Sequence, residues 1–139
     1  MKFNKLVPEL SVSDIDKSIE FYTKILGFKI EYERKESKFA LLSFHKSQMM
    51  MEQINGHWEI GKLEYPFGRG INFQIDAPNV EVLVKSLEKN KYPLKMMLQE
   101  NWYRVGKKLF GSQEFLVMDP DGYLLRFSKD LGTKPAKAD

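Results

Sequence analysis

Residues 113–128, Gln-Glu-Phe-Leu-Val-Met-Asp-Pro-Asp-Gly-Tyr-Leu-Leu-Arg-Phe-Ser, decide the fold. Phe115 to Met118 is an apolar run, Asp119-Pro120-Asp121-Gly122 has the chemistry of a tight reversal, and Tyr123 to Phe127 is a second apolar run. Proline presets φ at the second turn position, aspartate bonds nearby backbone amides, and glycine accepts positive φ. The segment therefore predicts a β-hairpin. A looser copy stands in the first half, where Phe39 to Phe44 precedes His45-Lys-Ser-Gln and then Met49 to Gln53. A strand-like and then a helix-like run precede each copy, so the chain reads as one unit written twice.

Working outward, Leu6 to Val12 alternates loosely, and Pro8 confines that strand to an edge or a bulge. Ser13 or Asp14 caps a helix with Ile15, Ile19, Tyr22 and Leu26 on one stripe, ending at Gly27. Phe28, Ile30 and Tyr32 then alternate with charged residues as a strand, and the Phe39–Phe44 and Met49–Ile54 hairpin closes a βαβββ module at about 5–54. Residues 55–69 lack either periodicity and read as a connector. A second module, about 70–129, repeats the pattern: Ile71, Phe73 and Ile75 on a strand, Asn79 capping a helix with Val80, Leu83, Val84 and Leu87 inward, a strand at Leu94–Leu98, a long aromatic and basic loop or irregular hairpin at Glu100–Gly111, and the hairpin quoted above. The polar tail, 130–139, is expected to fray. The fold class is α+β, two tandem βαβββ modules whose curved sheets form half-barrels around a ligand-sized trough.

Composition narrows the function. At 139 residues the chain fits one domain and buries roughly two-thirds of its unfolded surface. With no cysteine, disulfides, thiolate nucleophiles and Cys-ligated zinc are excluded. The N-terminal residues lack a signal-peptide apolar core and no run reaches membrane-spanning length, so the expected location is the cytoplasm, with no membrane partner. The net charge of +3 comes from 22 basic residues interleaved with 19 acidic ones, not from a basic stripe, so no nucleic-acid partner is expected. Nucleophile-elbow, P-loop and zincin motifs are missing.

With Leu10-Ser-Val-Ser-Asp14, Ser18-Ile-Glu-Phe-Tyr22, Ile25-Leu-Gly-Phe28 and Asp119-Pro-Asp-Gly-Tyr-Leu-Leu-Arg126, the sequence resembles the glyoxalase/bleomycin-resistance/extradiol-dioxygenase (vicinal oxygen chelate) superfamily. Pro8-Glu-Leu10, Tyr65-Pro-Phe-Gly-Arg-Gly-Ile-Asn72 and Trp102-Tyr-Arg104 are most similar to its bleomycin-resistance branch. The resemblance covers roughly residues 5–131. It implies the paired βαβββ fold and a homodimer with ligand grooves at the subunit interface. Enzymes of the superfamily hold a divalent metal with His, Gln or Glu from four strands. Counting along the motifs puts Val7, Glu52, Gly70 and Arg126 at those positions, and Glu9 or Asn72 if the alignment slips; only Glu52 among the four is a ligand type. No metal, no other cofactor and no catalytic residue is therefore expected, and the chain reads as a metal-free binder. The alternative is a divalent-metal glyoxalase-like lyase or isomerase, or a ring-cleaving dioxygenase.

Glu52 and Arg126 occupy corresponding points of the two repeats, as an ion pair or as ligand contacts. Trp58, Tyr65, Phe67, Trp102 and Tyr103 fall outside the periodic runs, where aromatics clamp a planar ligand or pack a subunit interface. Phe39 points into the trough or the core; Arg104 beside Trp102 favours an anionic or neutral ligand. Met49, Met50, Met51, Met96 and Met97 are pocket lining or core filler. Together these residues predict a site for a planar, partly aromatic small molecule, a bleomycin-class glycopeptide antibiotic first among candidates.

Overall fold

The computed structural model describes residues 2–137. Two compact units are present: one runs through Gly70 and takes in Asp119–Tyr123, and the other comprises Ile71–Met118 and the chain from Leu124 onward. Each contains a four-stranded mixed sheet and one α-helix, so the α+β tandem repeat is present. Among the described residues, no helix is long and apolar enough to cross a membrane.

The first unit comprises β1 (Glu9–Val12), α1 (Ile15–Glu20), β2 (Lys29–Arg34), β3 (Phe39–Phe44) and β4 (Ser47–Gln53), in the sheet order β1-β4-β3-β2. Pro8 precedes the edge strand β1, where its missing N–H costs no ladder bond, and its carbonyl accepts from the Met50 N–H at 2.8 Å. Asp14 caps α1, accepting from the N–H groups of Asp16 and Lys17 at 3.0 and 3.2 Å. A wide π-helical turn, Phe21–Ile25, continues the helix. Of the expected stripe, Ile15, Tyr22 and Leu26 are buried and Ile19 is half-buried, and Phe21 joins them, since the extra residue per turn lets two consecutive aromatics face inward. Strand alternation sends Ala40, Leu42, Phe44, Met49 and Met51 to the helix side, all buried; Met49 and Met51 are thus core.

The second unit comprises β5 (Asn72–Asp76), α2 (Val80–Lys89), β6 (Met96–Val105), β7 (Lys108–Met118) and β8 (Leu124–Pro135), in the order β5-β8-β7-β6. Asn79 caps α2 by accepting from the Val82 N–H at 3.2 Å. The core takes Ile75, Phe115, Val117, Leu125 and Phe127 from the sheet and Val80, Leu83 and Leu87 from the helix. Phe115 and Phe127 are register partners with stacked rings, centroids 5.5 Å apart. Their neighbours Glu114, Leu116, Arg126 and Ser128 must point to the opposite face.

Of the two readings of 100–111, loop or irregular hairpin, the structure has the hairpin: β6 and β7 pair from Gln99↔Glu114 out to Val105↔Lys108, turning at Gly106-Lys107. One expectation is corrected. The tail does not fray where expected, because β8 pairs with β7 as far as Lys108↔Pro135. Residues 138 and 139 lie outside the described residues. β5 accompanies β8 only to Ser128, so β6, β7 and β8 continue as a three-stranded ribbon. Backbone pairing with a neighbour satisfies N–H and C=O groups whatever the side chains are, so polarity alone misjudged the tail.

The reversal forms as predicted, with the Gly122 N–H on the Asp119 carbonyl at 2.9 Å. Its surroundings were not foreseen. Gly122 has φ +93° and a Cβ there would lie 2.5 Å from the Pro66 Cβ, so only glycine fits. Asp119 and Asp121 are 1% and 4% exposed. Asp119 accepts from the Tyr22 hydroxyl at 2.7 Å and from the N–H groups of Asp121 and Tyr123 at 2.9 Å each. Asp121 accepts from the Ser13 N–H and hydroxyl at 3.0 and 2.5 Å, and the Tyr123 hydroxyl donates to the Ser11 carbonyl at 2.8 Å.

Candidate functional site

The side of the second sheet away from α2 carries a cavity of about 490 Å³, lined by Gln74, Asp76, Tyr103, Phe110, Glu114, Arg126 and others. Strand alternation explains the set: Gln74 is the register partner of Arg126, Glu114 that of Ser128, and Phe110 that of Tyr103. Glu114 is 3% exposed and is held by three donors. The Asn101 amide donates at 3.0 Å, the Ser112 hydroxyl at 3.1 Å, and the Tyr103 hydroxyl at short range. That bond to Glu114, with burial, holds the Tyr103 phenol above its ordinary pKa; the Arg126 charge acts against this. Tyr103 is thus a neutral donor to a fixed carboxylate. Arg126 is different, because its Nε is buried with no hydrogen-bond partner. Tyr103 and Phe110, 45% and 42% exposed, line the cavity.

In the first unit Phe39 and Glu52 are register partners on the side of the sheet away from α1. Phe39 is buried, its ring 5.7 Å from that of Tyr32 and 4.1 Å beneath the Arg34 guanidinium. Glu52 accepts a short hydrogen bond from the Asn55 amide. On β1, Glu9 has its pKa raised by burial and by the charge of Glu52, opposed by Arg34. A separate cavity of about 580 Å³ is lined by Ile15, Ile19, Ile30, Glu33, Phe39 and Gln53 among others.

The remaining expected site residues disperse. Phe67 is buried edge-to-face against Tyr123, which makes it packing rather than a clamp. Trp58 and Tyr65 stand exposed on the connector. The connector itself is ordered by Glu59, which accepts from the N–H groups of Asn55, Gly56 and Trp58; the Gly56 bond leads in lowering its pKa. Trp102 and Tyr103, adjacent in sequence, point to opposite faces of β6 and form no joint clamp. The Trp102 indole lies over Gly111, where a Cβ would come within 2.6 Å of the ring, donates to Glu100 at 2.9 Å and carries the Lys134 ammonium at 4.0 Å. Arg104 is exposed and donates to the Gly106 carbonyl at 3.2 Å.

The metal positions are also redrawn. Val7 and Gly70 lie ahead of β1 and β5, and the register partners of Glu52 and Arg126 are Ser11 and Gln74. Among the described residues, no three His, Asp or Glu side chains come together to hold a metal ion. Gln74 beside a guanidinium does not fit one either, since Arg126 repels a cation and has no lone pair. Sequence reasoning passed over Glu114 and Asp76, although alternation with buried Phe115 and Val117 and with Ile75 was the available signal; Phe110 and Asp130 carried no signal before the ribbon was known.

A profile of the Glyoxalase/Bleomycin resistance protein/Dioxygenase superfamily matches residues 2–127. The chain belongs to this superfamily. TioX from Micromonospora sp. ML1 is 16% identical, with 93% of this chain and 100% of that one covered and a TM-score of 0.72. The fosfomycin resistance protein FosX from Listeria monocytogenes is 19% identical, with 95% and 94% covered and a TM-score of 0.59. At these identities the two share the fold of the superfamily with this chain. A superfamily member from Vibrio splendidus 12B01 is 32% identical, with 88% and 95% covered and a TM-score of 0.41. No functionally curated protein matches. As a superfamily member the chain has the tandem βαβββ architecture, but Arg126 stands where the resemblance implies a carboxylate ligand.

Proposed function

We propose that this chain is a metal-free small-molecule binding protein of the bleomycin-resistance type. It acts in the cytoplasm as a homodimer and sequesters a planar, partly aromatic glycopeptide antibiotic or a similar ligand. The observation that carries this is the cavity of about 490 Å³ on the second sheet, with the half-exposed rings of Tyr103 and Phe110 beside Arg126. Exposed rings at a cavity offer stacking for a flat guest, and an arginine in place of a ligand carboxylate favours holding over metal chemistry. The overall charge of +3 does not argue against a cationic drug, because Asp76, Glu114 and Asp130 outnumber Arg126 around the cavity. The exposed Tyr103, Val105 and Phe110 of the ribbon support a second copy as partner.

Titration calorimetry with bleomycin tests this directly. Binding is expected, Tyr103→Ala is expected to weaken it by about 1 kcal/mol or more, and the drug should be recovered chemically unaltered. Stoichiometric Ni²⁺, Mn²⁺ or Fe²⁺ binding to the purified protein would replace this proposal with the metal-enzyme alternative. Light scattering decides the dimer.

A further inference from the structure

The cavity on the second sheet contains an acceptor-seeking group and acceptor-offering groups at fixed separations. Glu114 is not available to a guest, since Asn101, Tyr103 and Ser112 already donate to it. Arg126 is the reverse case. Its guanidinium hydrogen-bonds Tyr103, but its Nε is buried without a partner, and none of the ion pairs formed among the described residues involves it. A guanidinium that lines the cavity with no carboxylate paired to it favours an incoming oxygen acceptor, most strongly an anionic one. Farther along the same face, Asp76 accepts only a long 3.4 Å bond from the Ser128 hydroxyl, and Asp130 accepts from the Gly132 N–H at 2.8 Å. Both carboxylates keep acceptor capacity directed at solvent.

The ladder sets the spacing. Arg126, Ser128 and Asp130 alternate onto one face of β8, and Asp76 is the register partner of Ser128. At roughly 3.3 Å per residue and 4.8 Å between strands, Asp76 is about 8 Å from the arginine position and Asp130 about 13 Å from it. The rings of Tyr103 and Phe110 flank the Asp130 end, where Ser112 is the register partner of Asp130.

Building on the binding role proposed above, we infer that the site takes an amphoteric ligand. An anionic or carbonyl oxygen group sits on Arg126, an ammonium or amidinium group on the Asp76–Asp130 side, and an apolar, partly aromatic body joins the two against Tyr103 and Phe110. A ligand with only one of the two charges leaves either the arginine or the aspartates facing uncompensated surface.

The test uses the full chain and four biphenyl probes in titration calorimetry. One carries a carboxylate at one para end and an aminomethyl group at the other; the second carries the carboxylate alone, the third the aminomethyl group alone, and the fourth neutral hydroxymethyl groups at both ends. The amphoteric probe is expected to bind about tenfold or more tighter than either singly charged one. Arg126→Gln should reduce it to the affinity of the amine, and Asp130→Asn combined with Asp76→Asn should reduce it to that of the acid, with both variants keeping the wild-type circular dichroism and melting profile. Equal affinity for all four probes, or a preference for one singly charged probe, overturns the amphoteric assignment and leaves the binding role standing. So does tight amphoteric binding that neither variant affects. If none of the four binds, the cavity is not an aromatic-ligand site and both proposals fail together. Should Arg126→Gln unfold, Arg126→Lys decides: it retains charge without the buried Nε donor, and an undiminished preference in that variant counts against the assignment.

Discussion

Replacing Asp119 by Asn separates the charge of the hairpin turn from its geometry. Burial is the leading cause that pushes this carboxyl from an ordinary 3.8 up to about 6, against the Tyr22 hydroxyl and the N–H groups of Tyr123 and Asp121, which favour its ionised form. Below the unfolded value both states hold the proton and nothing is lost. Between the two values the folded chain keeps a proton that the unfolded chain has released, so stability falls as pH rises through this window. The difference of about two units corresponds to about 3 kcal/mol, fully lost above the folded pKa. Asparagine keeps the oxygen that accepts from Asp121 and Tyr123, and the Tyr22 hydroxyl turns to accept from the amide. The stability of Asp119→Asn relative to the parent should therefore rise by about 3 kcal/mol between about pH 3.5 and about pH 7. Urea denaturation followed by circular dichroism at several pH values reads that difference. A gap between the two proteins that stays constant across the range would refute the assignment of a buried, proton-holding carboxyl to this turn.

Tyr22→Phe removes the 2.7 Å bond to the same carboxylate and should cost about 1.5–3 kcal/mol at neutral pH but less where Asp119 is protonated, which paired urea titrations would register. Gly122→Ala forces a Cβ to within 2.5 Å of Pro66 at φ +93° and should lower stability by about 2 kcal/mol or more; an unchanged denaturation midpoint contradicts the close approach. In Gly111→Ala the new methyl displaces the Trp102 indole, so the tryptophan emission should shift with the loss of stability, and combining it with Trp102→Ala should recover part of that loss. Glu114→Ala removes the leading cause of the raised Tyr103 pKa, and ultraviolet phenolate titration should show that tyrosine ionising at lower pH than in the parent.

The periodic parts of the chain were legible because one physical rule governs each. Apolar runs marked the strands that carry Phe115, Val117, Leu125 and Phe127, helical spacing turned Val80, Leu83 and Leu87 inward, and Ser13 or Asp14 and then Asn79 announced the helices through cap chemistry. The Asp-Pro-Asp-Gly reversal followed from local φ preferences. The ribbon of β6, β7 and β8 had no such signature, since its faces are half-exposed and its residues mixed, and backbone pairing rather than side-chain burial holds it. Leaving 100–111 open between a loop and an irregular hairpin gave no strand alternation to separate Trp102 from Tyr103, whereas β6 sends them to opposite faces.

What the sequence determined by itself was therefore the repeat, the helices and the hairpin turn, all of them properties of residues near one another along the chain. Tertiary structure alone decided that Asp119 and Asp121 are buried partners of Tyr22 and Ser13, that Phe67 is core, and that Tyr103, Glu114 and Arg126 gather at one cavity. Those outcomes depend on strand register and on burial, which join residues far apart in sequence and leave no local trace in the type of any one of them.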